Sequence, residues 1–131
     1  MVKLEILSFF ASNNINIMAQ NDNRVYKSFY KHMSKHNYYI YILTNKNNTV
    51  LYTGVSSNIE QRIYQHKTKK DPACFTSRYN VNKLIYFERF DYINAAIKRE
   101  KQIEGLLRKR KIELINSFNP DWEDLYETIC K

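Results

Sequence analysis

Four side chains stand out as able to do chemistry together: Tyr41, Tyr52, Arg62 and Glu100. A phenol can hold or pass a proton, a guanidinium offers a rigid fork of donors to an oxyanion, and a carboxylate is a hard oxygen ligand for a cation. His66, one helical turn beyond Arg62, adds a group that titrates near neutrality. Taken singly, two tyrosines on neighbouring strands are most often packing, and a helix arginine is most often a surface charge. Glu100 differs because of its place. It lies three residues after Ile97 and three before Ile103 on an apolar stripe, where an acid is costly unless it is paired, protonated or bound to metal.

These groups need elements that bring them together. Residues 38–44 (YYIYILT) and 50–55 (VLYTGV) are β-branched and aromatic, and the NKNNT between them is turn chemistry, so they form an antiparallel hairpin. A four-residue loop over Asn45 to Asn48 would set Tyr41 directly opposite Tyr52. Ser57-Asn58-Ile59-Glu60 fits a capping box that opens a helix to about His66, with Ile59, Arg62, Ile63 and His66 at helical spacing. Residues 82–90 alternate as a third strand, and Asp91 is placed to cap a helix starting at Tyr92. Gly105 interrupts that helix, a second piece runs from Leu106 to about Phe118, and Pro120 ends it. The expected fold is α+β: a small three-stranded antiparallel sheet flanked by helices, in the order strand, strand, helix, strand, helix, helix.

With 131 residues and 44% hydrophobic content there is room for one core. It is expected over residues 38–125, with residues 126–131 as a tail. Residues 1–37 are rich in Asn, Ser and Lys without sustained periodicity, and read as a disordered or weakly helical extension in which Met18 and Met33 offer alternative starts. A formal net charge of +8 suits an anionic partner. Cys74 and Cys130 show no metal-ligand spacing, which points to a reduced, cytoplasmic protein. No apolar run approaches membrane-spanning length, so no membrane partner is expected.

Tyr39-Ile40-Tyr41, then ten intervening residues, then Tyr52-Thr53-Gly54, with Arg62 on the following helix and Glu100 in Ala96-Ile97-Lys98-Arg99-Glu100, resembles the GIY-YIG endonucleases. The likeness runs from Tyr38 to about Leu125, including Asn119-Pro120-Asp121-Trp122. It is closest to short stand-alone bacterial members related to the nuclease module of the bacterial excision-repair endonuclease. Order and spacing together make it specific. Two positions depart from the pattern: Tyr39 replaces the first glycine of the motif, and Val55 follows Gly54 where some members carry lysine.

The resemblance implies a metal-dependent endonuclease that hydrolyses DNA to 5′-phosphate and 3′-hydroxyl ends, with a link to DNA repair. It implies one Mg²⁺ or Mn²⁺ held by Glu100, an arginine clamp on the phosphate at Arg62, a tyrosine, Tyr41 or Tyr52, acting on the attacking water, and His66 as proton shuttle or phosphate ligand. Asn119 would correspond to a late asparagine near the metal. Nonspecific grip on the backbone would come from Arg108, Lys109, Arg110 and Lys111 on the last helix and from Lys67, Lys69, Lys70 and Arg78 in the loop. Two other readings compete: a nucleic-acid-binding module of the same fold without cleavage, and a basic protein-interaction domain.

Overall fold

The structure is a computed structural model that describes residues 36–130. The extension expected before residue 38 lies outside the described residues, apart from its last two, as do Met18 and Met33. Strands β1 (Tyr38–Thr44), β2 (Leu51–Ser56) and β3 (Lys83–Phe90) form one antiparallel sheet in the order β2-β1-β3. Around it lie α1 (Ile59–Lys67), α2 (Phe75–Arg78), α3 (Ile93–Glu104), α4 (Arg108–Phe118) and α5 (Tyr126–Ile129). This is the three-stranded α+β arrangement expected from the pattern of elements.

Alternation along β1 divides its side chains between the two faces. Tyr41 and Leu43 pack with Ile59 and Ile63 of α1, and Leu125, Tyr126 and Ile129 join that cluster from the C-terminal segment. Residues 126–129, read from sequence as tail, therefore cover part of the core. The long helix α3 packs against all three strands and buries Ile93, Ala96, Glu100 and Ile103.

Three local expectations are corrected. Tyr41 stands opposite Gly54, and Tyr52 opposite Leu43, because the loop runs from Asn45 to Val50 instead of ending at Asn48. The Asn45 amide causes this: its Oδ1 accepts from the backbone N–H of Thr49 at 2.8 Å and Val50 at 3.1 Å, while Thr44 Oγ1 donates to the Val50 carbonyl. Those two residues bond to the turn and leave the ladder. The slip is two residues, so both tyrosines keep the same face. The α1 cap is Asn58, not Ser57, with Asn58 Oδ1 accepting from Gln61 N–H at 3.1 Å. Asp91 does not cap α3; it is paired with Arg89 at 2.8 Å, and Tyr92 holds the cap position.

Candidate active site

The two strands and α1 bring Tyr41, Tyr52 and His66 into contact. Tyr41 is 0% exposed, and its hydroxyl lies 3.3 Å from His66 Nε2. The Tyr52 ring meets the His66 ring edge-on with centroids 5.7 Å apart and stacks on Phe75 at 6.3 Å. Phe75 then leads to Tyr79 at 4.7 Å. Gly54 makes the Tyr41 position possible, since a Cβ there would fall 2.3 Å from Tyr41 Cζ. Gly54 has no positive φ, so space and not backbone conformation requires the glycine.

His66 is 5% exposed, and its other nitrogen, Nδ1, lies 2.9 Å from Thr76 Oγ1 of α2. Burial, with the Arg62 guanidinium second, pushes its pKa down from 6.5 to about 4, so the ring is neutral at physiological pH. The sign of the linkage is definite: between pH 6.5 and 4 the unfolded chain binds a proton that the native ring refuses. The stability it contributes is complete above pH 6.5 and is lost as pH falls to about 4, amounting to roughly 3 kcal/mol. His66→Gln should flatten that limb of the stability curve, measured by urea unfolding at a series of pH values. An unchanged slope would mean that the ring is solvated.

Arg62 is half-buried one turn before His66, and its Nη1 donates to Gln65 Oε1 at 3.1 Å. Glu100 comes from α3 at 1% exposure, and β2 is the strand against which both α1 and α3 pack. The neighbouring Arg99 is committed elsewhere, donating to Glu88 Oε2 at 2.9 Å, an oxygen that also accepts from the Tyr86 hydroxyl at 2.7 Å.

Among the described residues no group of three or more His, Cys, Asp or Glu could hold a metal ion. The donor set at Glu100, one buried carboxylate on an otherwise apolar stripe, suits a hydrated hard cation that takes its remaining ligands from water and phosphate.

The basic residues divide. Lys67 is taken up by structure: it pairs with Asp124, donates to the Asn82 carbonyl at 3.0 Å and lies over the Tyr126 ring. Lys69 donates to Asn80, Arg78 sits over the Tyr79 ring at 5.9 Å, and Lys70 is exposed. On α4, Arg108 donates to the Thr49 carbonyl at 2.9 Å and Arg110 pairs with Glu113, while Lys109 is exposed and Lys111 partly so. Asn119 is also structural. Its amide donates to the Ile85 carbonyl at 3.1 Å and the Glu123 carbonyl at 2.8 Å, and its oxygen accepts from Glu123 N–H. Ile85 is the residue that the β1–β3 register skips, which leaves its carbonyl open for Asn119.

A family described as the GIY-YIG catalytic domain matches residues 37–113. The chain belongs to the GIY-YIG family. It is 39% identical over 89 residues to a UPF0213 protein of Syntrophus aciditrophicus, covering 68% of this chain and 98% of that one. Similarity to a UPF0213 protein of Staphylococcus saprophyticus is 39% over 84 residues, covering 64% and 98%. The solution NMR structure of the UPF0213 protein BH0048 from Bacillus halodurans is 27% identical, with coverage of 67% and 92% and a TM-score of 0.45. A GIY-YIG domain implies nuclease-type function on nucleic acid, and GIY-YIG nucleases generally use a divalent metal ion. Among the described residues no helix is long and apolar enough to cross a membrane.

Two contributors escaped the sequence reading. Thr76 and Phe75 sit on a four-residue helix too short for periodicity to reveal, and only their contacts with His66 and Tyr52 mark them.

Proposed function

We propose that this protein is a metal-dependent endonuclease that hydrolyses DNA phosphodiester bonds, leaving 5′-phosphate and 3′-hydroxyl ends. The observation that carries this reading is the buried hydroxyl of Tyr41 bonded to a neutral His66, beside the Arg62 charge. As Tyr41 takes a proton from the attacking water, its own proton passes to His66 Nε2. The water loses one proton, His66 gains one, and the phenol is regenerated. Tyr52, held by ring contacts with His66 and Phe75, orients the water. Arg62 binds the nonbridging phosphate oxygens, and the phosphate charge offsets the guanidinium, which after burial is the second cause that disfavours a protonated His66. Glu100 would hold one Mg²⁺ or Mn²⁺, which supplies charge neutralisation and eases ionisation of water.

The test is a panel of labelled DNA and RNA structures incubated with Mg²⁺ or Mn²⁺, beside Tyr41→Phe. Metal-dependent cutting of DNA that the variant loses is the expected result. Binding without cutting would favour the inactive module, and no binding at moderate salt would favour a protein-interaction domain.

Arg108, Lys109, Arg110 and Lys111 serve grip in this reading. Neutralising Lys109 and Lys111, the two of the four without a bond to Thr49 or Glu113, should weaken DNA binding. Its salt dependence should flatten by roughly one unit of slope for each phosphate no longer neutralised. Cleavage at saturating DNA should persist, and a collapsed saturated rate with binding intact would overturn the assignment.

A further inference from the structure

His66 is held at both ring nitrogens, and the partner behind it decides what the partner in front can do. A neutral imidazole carries one N–H, so the nitrogen that donates leaves the other as acceptor. Here Nδ1 meets Thr76 Oγ1 at 2.9 Å, and Nε2 meets the Tyr41 hydroxyl at 3.3 Å. Thr76 is 2% exposed, and its hydroxyl also lies 3.2 Å from Cys74 Sγ. Cys74 in turn directs its thiol at Ser77 Oγ, 3.3 Å away.

Each of these groups has one proton to give, which sets the direction of the chain. Cys74 directs its proton at Ser77 Oγ, which leaves the sulfur able to accept the hydroxyl proton of Thr76. Thr76 Oγ1 then accepts from His66 Nδ1–H. That leaves Nε2 with its lone pair toward the Tyr41 phenol.

We propose that Thr76 is a positioning residue for phosphodiester hydrolysis. It fixes His66 as the Nδ1–H tautomer, so that Nε2 receives the Tyr41 proton, and the Cys74 sulfur sets the direction of the Thr76 hydroxyl. The catalytic half of this statement rests on the hydrolytic reading above, whereas the tautomer half does not. Burial of the ring supports it, since a neutral His66 at working pH is the state in which tautomer matters. Neither Thr76 nor Cys74 touches substrate in this scheme.

The experiment uses the full chain with ¹⁵N-labelled histidine. Two-bond ¹⁵N–¹H correlation reads which nitrogen is protonated, and the His66 signals are assigned by their loss in His66→Gln. The wild type should show the Nδ1–H form. Thr76→Val, which keeps shape and removes the hydroxyl, should lose that preference. At saturating DNA its rate should fall on the order of tenfold to a hundredfold, with KM little changed. Thr76→Ser should restore both. Cys74→Ala touches neither His66 nor Tyr41, yet frees the Thr76 hydroxyl to donate to Nδ1, so it should shift the ring toward Nε2–H. If Thr76→Val does not fold, Cys74→Ala decides the question alone. A wild-type ring already in the Nε2–H form, or a tautomer unmoved in both variants, would overturn the proposal. An Nδ1–H form lost in Thr76→Val, from a wild type that cuts no nucleic acid, would keep the tautomer lock and sink the hydrolytic reading.

Discussion

Glu100→Gln should reduce metal-dependent cleavage by a factor on the order of 10³ or more, the loss of several kcal/mol of charge stabilisation that a bound cation supplies. The amide fills the same volume but removes the negative charge, and a neutral oxygen is a much poorer ligand for a hard cation. The fold should survive, because Ile93, Ala96 and Ile103 still carry the buried stripe of α3. Binding of nucleic acid without metal should also persist, since no surface cation is altered. Arg62→Ala should be comparably slow while metal affinity stays near wild type, which separates phosphate clamping from metal capture. Initial rates across a Mn²⁺ titration, thermal unfolding and metal affinity, measured side by side, decide the matter. If Glu100→Gln cuts at near wild-type rate, the metal ligand lies elsewhere. If it unfolds, Glu100 is a structural residue.

What sequence could and could not reveal follows from the range of each signal. Strand alternation and helical spacing are local, and they located β1, β2, α1, β3 and α3 as well as the faces of Tyr41, Tyr52, His66 and Glu100. Register depends on where a turn closes, and the Asn45 side chain moved that point by two residues without changing the face. The distant partners of polar residues were hidden for a different reason. Lys67 and Asp124 are 57 positions apart, and nothing near Lys67 distinguishes a lysine that fastens the C-terminal segment from one that grips a phosphate. Asn119 is the same case, its amide consumed by carbonyls of Ile85 and Glu123. Thr76 was invisible because α2 is a single turn, packed through Phe75 and bonded through its hydroxyls, with no periodicity of its own.

Gly54→Ala should destabilise the protein by about 1–3 kcal/mol, the usual cost of overpacking, and should reduce the saturated rate on the order of a hundredfold. In an ordinary strand the same change would help by roughly 0.5–1 kcal/mol, because alanine loses less backbone entropy on folding. Here the added carbon would lie 2.3 Å from Tyr41 Cζ, 2.4 Å from its hydroxyl oxygen and 2.7 Å from Cε2. The tip of an exposed tyrosine could swing aside, but the Tyr41 ring is buried in one cluster with Leu43, Ile59 and Ile63. Any displacement must also lengthen the 3.3 Å bond to His66 Nε2, which is why rate and stability should fall together. A double-mutant cycle isolates the cause. In a Tyr41→Leu background the ring is gone, so Gly54→Ala should cost little or become mildly stabilising, and the coupling energy should account for most of the single-variant loss. Denaturant unfolding of the four proteins measures this directly. Equal costs of Gly54→Ala in both backgrounds would show that the glycine answers to something other than the Tyr41 ring.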